Sequence, residues 1–293
     1  MLVTGMAVMA MGVSTVRAQE AAEAALPAAA PKNVSATFSL DFNSHFISYG
    51  NDVWGLGNSW DFNEATFNPS AQVTFADVVG PLDLFVGTWW DVNDNAASSI
   101  GGELQEVDVW FGGSFNIERF TVTALYQAWI YGGDVEEIVD ATVGFDDSGL
   151  IMEDFALNPY ATFHIRTAEG AAATAGDAHD TGTVLVIGIA PAWTIVQSET
   201  YPVTFKLPVA AGFFLDTGFY DSSTVNTPTT SDSGFGYVSI GAVISVPLAF
   251  VPESYGAWEF HTGVTWYHTE HDVIPGNPDQ DFLTGNVGIS VGF

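Results

Sequence analysis

The chain closes on an unbroken alternation. Val287, Ile289, Val291 and Phe293 fall on one side, and Asn286, Gly288, Ser290 and Gly292 on the other. A period of two marks an extended strand with one apolar face, because successive side chains of a strand point to opposite faces. The same period recurs back to Val34, so it constrains the whole molecule rather than its end. A chain of this pattern folds as a succession of strands, each with an apolar and a polar face except the stretch 181–195, which is apolar on both faces with Gly188, Ala190 and Ala192 making one of them small.

Residues 34–293 predict twelve strands, near 34–47, 64–76, 82–93, 104–116, 119–131, 136–146, 154–166, 181–195, 202–214, 235–249, 257–269 and 282–293. The connections 77–81, 117–118, 147–153, 196–201 and 250–256 are short. Those at 48–63, 94–103, 167–180, 215–234 and 270–281 are longer and rich in Asn, Asp, Gly, Ser and Thr, and only 132–135 breaks the rule. An even strand count, with short turns on the side of both termini and long loops opposite, is the layout of a bacterial outer-membrane barrel. The expected fold is therefore all-β: a single antiparallel transmembrane β-barrel with short periplasmic turns and longer extracellular loops.

Charge placement supports this reading. Asp41, Asp83, Asp91, Glu106, Asp108, Asp140, Asp146, Arg166, Lys206 and Glu259 all fall on the less apolar face of their strands. A lysine or arginine facing lipid near the bilayer midplane costs roughly 2–4 kcal/mol, and an acid somewhat less, which enforces such sorting. Several tryptophans, Trp54, Trp60, Trp90, Trp258 and Trp266, sit near predicted strand ends, where indole favours the membrane–water interface. A soluble sandwich would also sort its charges, but with its Phe, Val and Ile in a core.

The first part of the chain fits export. Met1–Val16 is apolar but too short to span a bilayer as a helix. Val16-Arg17-Ala18 then gives a small-x-small pattern suited to cleavage before Gln19. Residues 1–18 are expected to be a signal peptide, and the Ala, Pro and Glu rich residues 19–33 a disordered periplasmic leader.

Composition excludes several classes of function. Five Lys+Arg stand against 35 Asp+Glu, for a formal charge of -30. Nucleic-acid binding needs clustered cations and is excluded as a function, as is direct binding of lipopolysaccharide phosphates. With no cysteine there is no disulfide framework, thiolate metal site, Cys nucleophile or acylated amino-terminal Cys.

Catalysis finds little support. His45, His164 and His261 are expected to face inward, but Ser44 and His45, as neighbours on one strand, should point to opposite sides. His268, Glu270, His271 and Asp272 surround a loop without diagnostic metal-ligand spacing. Asp91, Asn93 and Asn95 match the first ligand positions of a calcium loop, but Ala96 and Gly102 occupy the places that need Gly and Glu. No catalytic residue, metal site or cofactor is expected.

The inward face remains as the place for function. The candidate pore-lining residues are Asp41, Asp83, Glu106, Asp108, Asp140 and Glu259, with Arg166 and Lys206 as local counter-charges. Confined carboxylates favour cations over anions. Trp110, Leu125 and Trp129 would narrow one wall, while small residues on the eighth, tenth and twelfth strands leave room on the other. The expected function is a porin-like channel for passive diffusion of small solutes or ions, preferring cations. The alternative is a non-conducting structural or surface-binding barrel, which dense lumen packing or a folded-in 215–234 loop would favour.

The aromatic carboxy-terminal strand resembles the closing strand of outer-membrane barrels, through which the assembly machinery would engage it. The chain further resembles the TorF-type porin family in three stretches: SLDFNSHFISYGNDVWG after the chain's first residues, VDATVGFDDSGLIMEDFALNPYATFHI, and the closing GNVGISVGF. The resemblance implies an outer-membrane barrel with porin-like function. It assigns no substrate and no functional residue.

Overall fold

The computed structural model describes residues 34–55, 57, 64–150, 155–168, 170–171, 177–179, 181–222, 230–277 and 279–293. The signal peptide, the leader and Trp60 lie outside them. The strands are β1 (Val34–Asn43), β2 (Thr66–Val79), β3 (Leu82–Val92), β4 (Leu104–Ile117), β5 (Phe120–Ile130) and β6 (Val135–Phe145). They continue as β7 (Tyr160–Ala168), β8 (Gly182–Ile189, resuming over Ala192–Val196), β9 (Val203–Lys206, resuming over Val209–Phe214), β10 (Gly234–Pro247), β11 (Ala257–Thr269) and β12 (Asp281–Gly292).

Each strand pairs antiparallel with the next, and β12 pairs with β1, from Thr37 opposite Gly292 to Asn43 opposite Asn286. The result is one closed 12-stranded barrel without an open edge. The last residue completes the seam: the Phe293 N–H donates to the Ala36 carbonyl at 2.9 Å. The Phe293 ring meets Phe38 edge-on with centroids 6.1 Å apart.

The outside is an exposed apolar belt. Phe38, Leu40 and Phe42 on β1, Val109, Phe111 and Phe115 on β4, and Ile240 and Ile244 on β10 all point away from the lumen, with Phe111 62% exposed. Such a continuous surface is intolerable in water and is the lipid face of a transmembrane barrel. Among the charged strand residues, Glu137 points outward, but it is the third residue of β6, near the loop rim.

Three differences from expectation bear on the lumen and its connections. β1 stops at Asn43 rather than 47, because the chain then turns into the lumen. β7 starts at Tyr160 rather than 154, so the connection from β6 is longer than expected. Its Asp147 carboxylate caps the segment by accepting the N–H groups of Leu157 and Asn158 at 3.0 and 2.8 Å.

The third difference is chemical. Periodicity predicts β8 and β9 as continuous, and each is interrupted, at Pro191 and Pro208. Their register is nonetheless kept, since Ile189 faces Val209 and Ala192 faces Lys206. Proline lacks the N–H that the ladder needs, so bonds are missing where geometry is intact. The proline carbonyls still accept, Pro191 from Leu207 at 3.0 Å and Pro208 from Gly241 at 2.8 Å.

Glycines on the inner wall make room for flat aromatic rings. A Cβ at Gly87 would lie 2.4 Å from the Trp110 indole, and one at Gly212 would lie 2.1 Å from the Tyr237 ring. These rings cover strand backbone without crossing the barrel.

The facing of the strands has a direct consequence for assembly. Ile240→Arg, on the lipid face at mid-strand, should lose roughly 2–4 kcal/mol of membrane folding free energy. Ser70→Arg, on the lumen face of β2, should fold nearly as wild type. Heat-modifiable gel mobility after refolding into lipid vesicles separates the two outcomes.

Candidate functional site

Beyond β1 the chain enters the lumen as a small hairpin. Ile47 pairs with Asp52 and Ser48 with Asn51. The two residues between them, Tyr49 and Gly50, have φ of 46° and 82°. Two successive positive φ values are the mark of a type I′ turn, the tight turn that matches strand twist. Glycine accepts this conformation freely, whereas a tyrosine there carries a steric cost that its contacts must hold.

Those contacts lie across the barrel. Tyr49 is fully buried, and its Oη sits 2.5 Å from His164 Nδ1 on β7. In the closed sheet order, β7 is the strand diametrically opposite β1. The hairpin therefore spans the lumen. Gly50 lies so close to Tyr237 that a Cβ there would come within 2.7 Å of the ring.

Two other long loops pin the hairpin. From the loop after β9, the Tyr220 hydroxyl donates to the Ser48 carbonyl at 2.6 Å. From the loop after β11, Asn277 Nδ2 donates to the Gly50 carbonyl at 2.6 Å, and its Oδ1 accepts the Asp52 N–H at 2.8 Å. Ile47, Tyr49, Phe219, Tyr220, Val273 and Ile274 from these loops join inward strand residues such as Trp129, Val184, Phe214 and Phe282 in one cluster, each between 0% and 6% exposed. The loop half of the barrel is filled by this packed plug.

The wall that receives the plug is polar and charged. Asp140 Oδ1 is 2.7 Å from His164 Nδ1, and its Oδ2 accepts from Gln127 Nε2 at 2.6 Å. Gln127 in turn accepts the Trp129 indole N–H at 3.2 Å. Arg166 donates from Nε to Glu136 at 3.1 Å and from Nη1 to the Phe219 carbonyl at 2.8 Å, with its guanidinium 3.8 Å above the Phe219 ring. The ion pair within the wall thus fixes Arg166, whose bond to the Phe219 carbonyl and contact with its ring hold the loop after β9.

The return limb of the hairpin is tied to β3. Asp91 accepts the Trp54 indole N–H at 2.9 Å, Asn93 Nδ2 at 2.9 Å, Asn68 Nδ2 at 3.1 Å and the Thr66 hydroxyl. A carboxylate with this many donors is a structural knot.

The eight inward charges expected from the sequence all face the lumen, but at different levels. Glu106, Asp108, Asp140 and Arg166 are buried in the loop half, each no more than 2% exposed. Asp41, Asp83 and Glu259 line the turn half with the half-buried Lys206. There Asp41 Oδ1 is 2.5 Å from His261 Nε2, and Asp83 accepts the Asp77 N–H at 2.8 Å. The turn half is otherwise built of half-buried small and polar residues such as Ser70, Gln72, Thr74, Ser114, Thr121 and Ser290.

Ser44 and His45 do not point apart as expected. They lie beyond the end of β1, where the period-two rule no longer applies, and Ser44 Oγ is 2.6 Å from His45 Nδ1. The hydroxyl also accepts the Gly285 N–H at 2.8 Å, and Asp52 Oδ2 is 3.8 Å from His45 Nε2. Ser44, His45 and Asp52 are at most 3% exposed. This is a buried clasp at the hairpin base. At the rim, His268 pairs with Asp281 at 3.0 Å and lies 3.8 Å from Glu270, and no group of three metal-ligating side chains occurs among the described residues.

Sequence reasoning missed the hairpin. Its signal was a two-residue turn, Tyr-Gly, between short apolar and polar stretches. Tyrosine is a poor first residue for that turn, so the signal was weak.

No family model and no curated protein matches the chain. Among solved structures, it is similar to CdiB from Acinetobacter baumannii at TM-score 0.46 and 9% identity, covering 90% of this chain and spanning 61% of the length of that one. It is similar to the NanC porin at TM-score 0.40 and 7% identity, over 88% of this chain and 98% of that one. A third is the translocator domain of the autotransporter NalP from Neisseria meningitidis, at TM-score 0.40 and 11% identity, over 88% and 87%.

Burial raises the Asp52 carboxyl from 3.8 to about 6, against the opposing pull of His45 and of the N–H groups of Gly57 and Gly55. A raised folded-state value means that the stabilisation is complete below 3.8 and is lost as pH climbs through about 6. At about 1.4 kcal/mol per unit, up to about 3 kcal/mol of hairpin stability should disappear between pH 4 and 7. Amide exchange in residues 47–57 should accelerate over that range beyond its intrinsic pH dependence. Asp52→Asn should flatten the excess.

Proposed function

We propose that this protein is a bacterial outer-membrane channel for small solutes, preferring cations, and that the lumen hairpin holds it closed in the state described here. The observation that carries this reading is the division of the lumen. Its turn half is lined by small polar residues with Asp41, Asp83 and Glu259 against Lys206. Its loop half is stoppered by segments that belong to loops rather than to the wall. A plug made of loops can leave without disturbing the barrel, and the wall that remains carries an excess of carboxylates that favours cations.

In this reading the short turns face the periplasm and the long loops the exterior, residues 1–18 are the signal peptide and 19–33 the leader. Outer-membrane lipid surrounds the belt, and the strand ending in Phe293 engages the assembly machinery. The resemblance to TorF-type porins supports a channel. Two of its three stretches contain the two sides of the closure, Tyr49 in one and Asp140 and His164 in the other. No part of the reading involves catalysis.

A second reading has its own support. The plug is as densely buried as a protein core, which suits a barrel that never conducts and acts as a scaffold or through its acidic loops.

Single-channel recording in a planar bilayer under a potassium chloride gradient decides between them. The wild type should open rarely. Asn277→Ala removes two hairpin bonds and should raise open time about tenfold or more, given about 1 kcal/mol per hydrogen bond. The reversal potential of those openings should be cationic and should fall with Asp83→Asn. A correctly folded Asn277→Ala barrel that stays silent would establish the second reading, and anionic openings would remove the role given to the turn-half acids.

A further inference from the structure

The Tyr49 side chain occupies a built recess in the wall. Its ring lies over His164 with centroids 3.9 Å apart and is stacked with Trp129 at 6.3 Å and 21°. Its hydroxyl oxygen meets His164 Nδ1 at 2.5 Å. Trp129, Gln127, Asp140 and His164 are all between 0% and 1% exposed and form a continuous chain of hydrogen bonds and contacts from indole to amide to carboxylate to imidazole. Phe219 closes the recess, 6.1 Å from the His164 ring and set at 62°.

The recess is thus preorganised by wall residues of β5, β6 and β7, while the group that fills it comes from a loop. The carboxylate of Asp140 is the stronger acceptor at Nδ1, so the imidazole carries its proton there and offers it to the phenol oxygen as well. His164 Nε2 makes no hydrogen bond among the described residues. The combination of two aromatic faces and a shared N–H is what recognises an aromatic ring bearing a hydroxyl. The loop side is poised to leave, because Tyr49 holds a positive φ that only its contacts sustain.

We propose that the recess formed by Trp129, Asp140 and His164 is a binding site for phenolic solutes, that Tyr49 fills it in the closed state, and that a phenol taking its place releases the hairpin. The proposal rests on the gate reading for its last clause only; the site itself is defined by the wall. Glycine tolerates the Tyr49 backbone conformation, so Tyr49→Gly empties the recess without straining the turn.

The test uses p-cresol, the tyrosine side chain as a free molecule, and toluene as its counterpart without the hydroxyl. Refolded Tyr49→Gly protein should bind p-cresol about tenfold more tightly than toluene, by quenching of tryptophan fluorescence, since toluene cannot make the hydrogen bond at His164 Nδ1 that the phenol oxygen makes. Adding His164→Phe should remove that preference. Equal binding of the two probes, or a preference that survives His164→Phe, overturns the site. Binding with the expected preference in a barrel that never conducts keeps the site and removes the gate. Should Tyr49→Gly fail to fold, the wild type gives the answer: p-cresol should raise its open probability several-fold and toluene should not, and equal effects of the two overturn the proposal.

Discussion

The ladder between β1 and β12 is the contact on which everything else in the molecule depends. A bilayer offers no water to unpaired backbone groups, and each one left open costs several kcal/mol. A sheet of these strands left unclosed would present two such edges. Closing it sets the end of β1 beside Gly285, below the loop end of β12, where Ser44 and Gly285 exchange hydrogen bonds at 2.8 Å. The chain leaving that clasp has only one direction with partners available, inward across the lumen. The hairpin follows from closure as much as from its own sequence.

Closure also sets how the lumen bears its charge. With lipid outside, strand acids have nowhere to go but inward, and a narrow barrel brings them close together. The molecule meets this by spending donors on them: indoles and amides on Asp91, Gln127 and His164 on Asp140, His261 on Asp41, and Arg166 on Glu136. The acids of the loop half act as sockets for aromatic and amide side chains. Those of the turn half are left nearer to water and shape the field there.

Much of the barrel was legible in the sequence because one rule, the period of two, runs through nearly every wall strand. The facing of Ile240 or Asp108 follows from counting along a strand. The rule fails where the chain leaves the wall. Ser44 and His45 were assigned opposite directions by a strand that had already ended. Pro191 and Pro208 were absorbed into strands whose register they keep but whose bonds they break. The recess was half visible, since His164 and Asp140 were placed inward, but Tyr49 belongs to a tertiary arrangement. Its partner His164 lies 115 residues away, and no local pattern announces it.

Those separations fix an order of events. Tyr220 reaches back 172 residues to Ser48, and Asn277 reaches back 225 residues to Asp52. The hairpin belongs to the first part of the chain to be made, and its final pins belong to the last. Contacts between residues so far apart bear the largest loop-closure cost and form late. Until the strands on either side of Asn277 have joined the barrel, the hairpin has no complete seat. The seam of the wall, Thr37 opposite Gly292, joins residues farther apart still, so seating the hairpin and closing the barrel belong together at the end of folding.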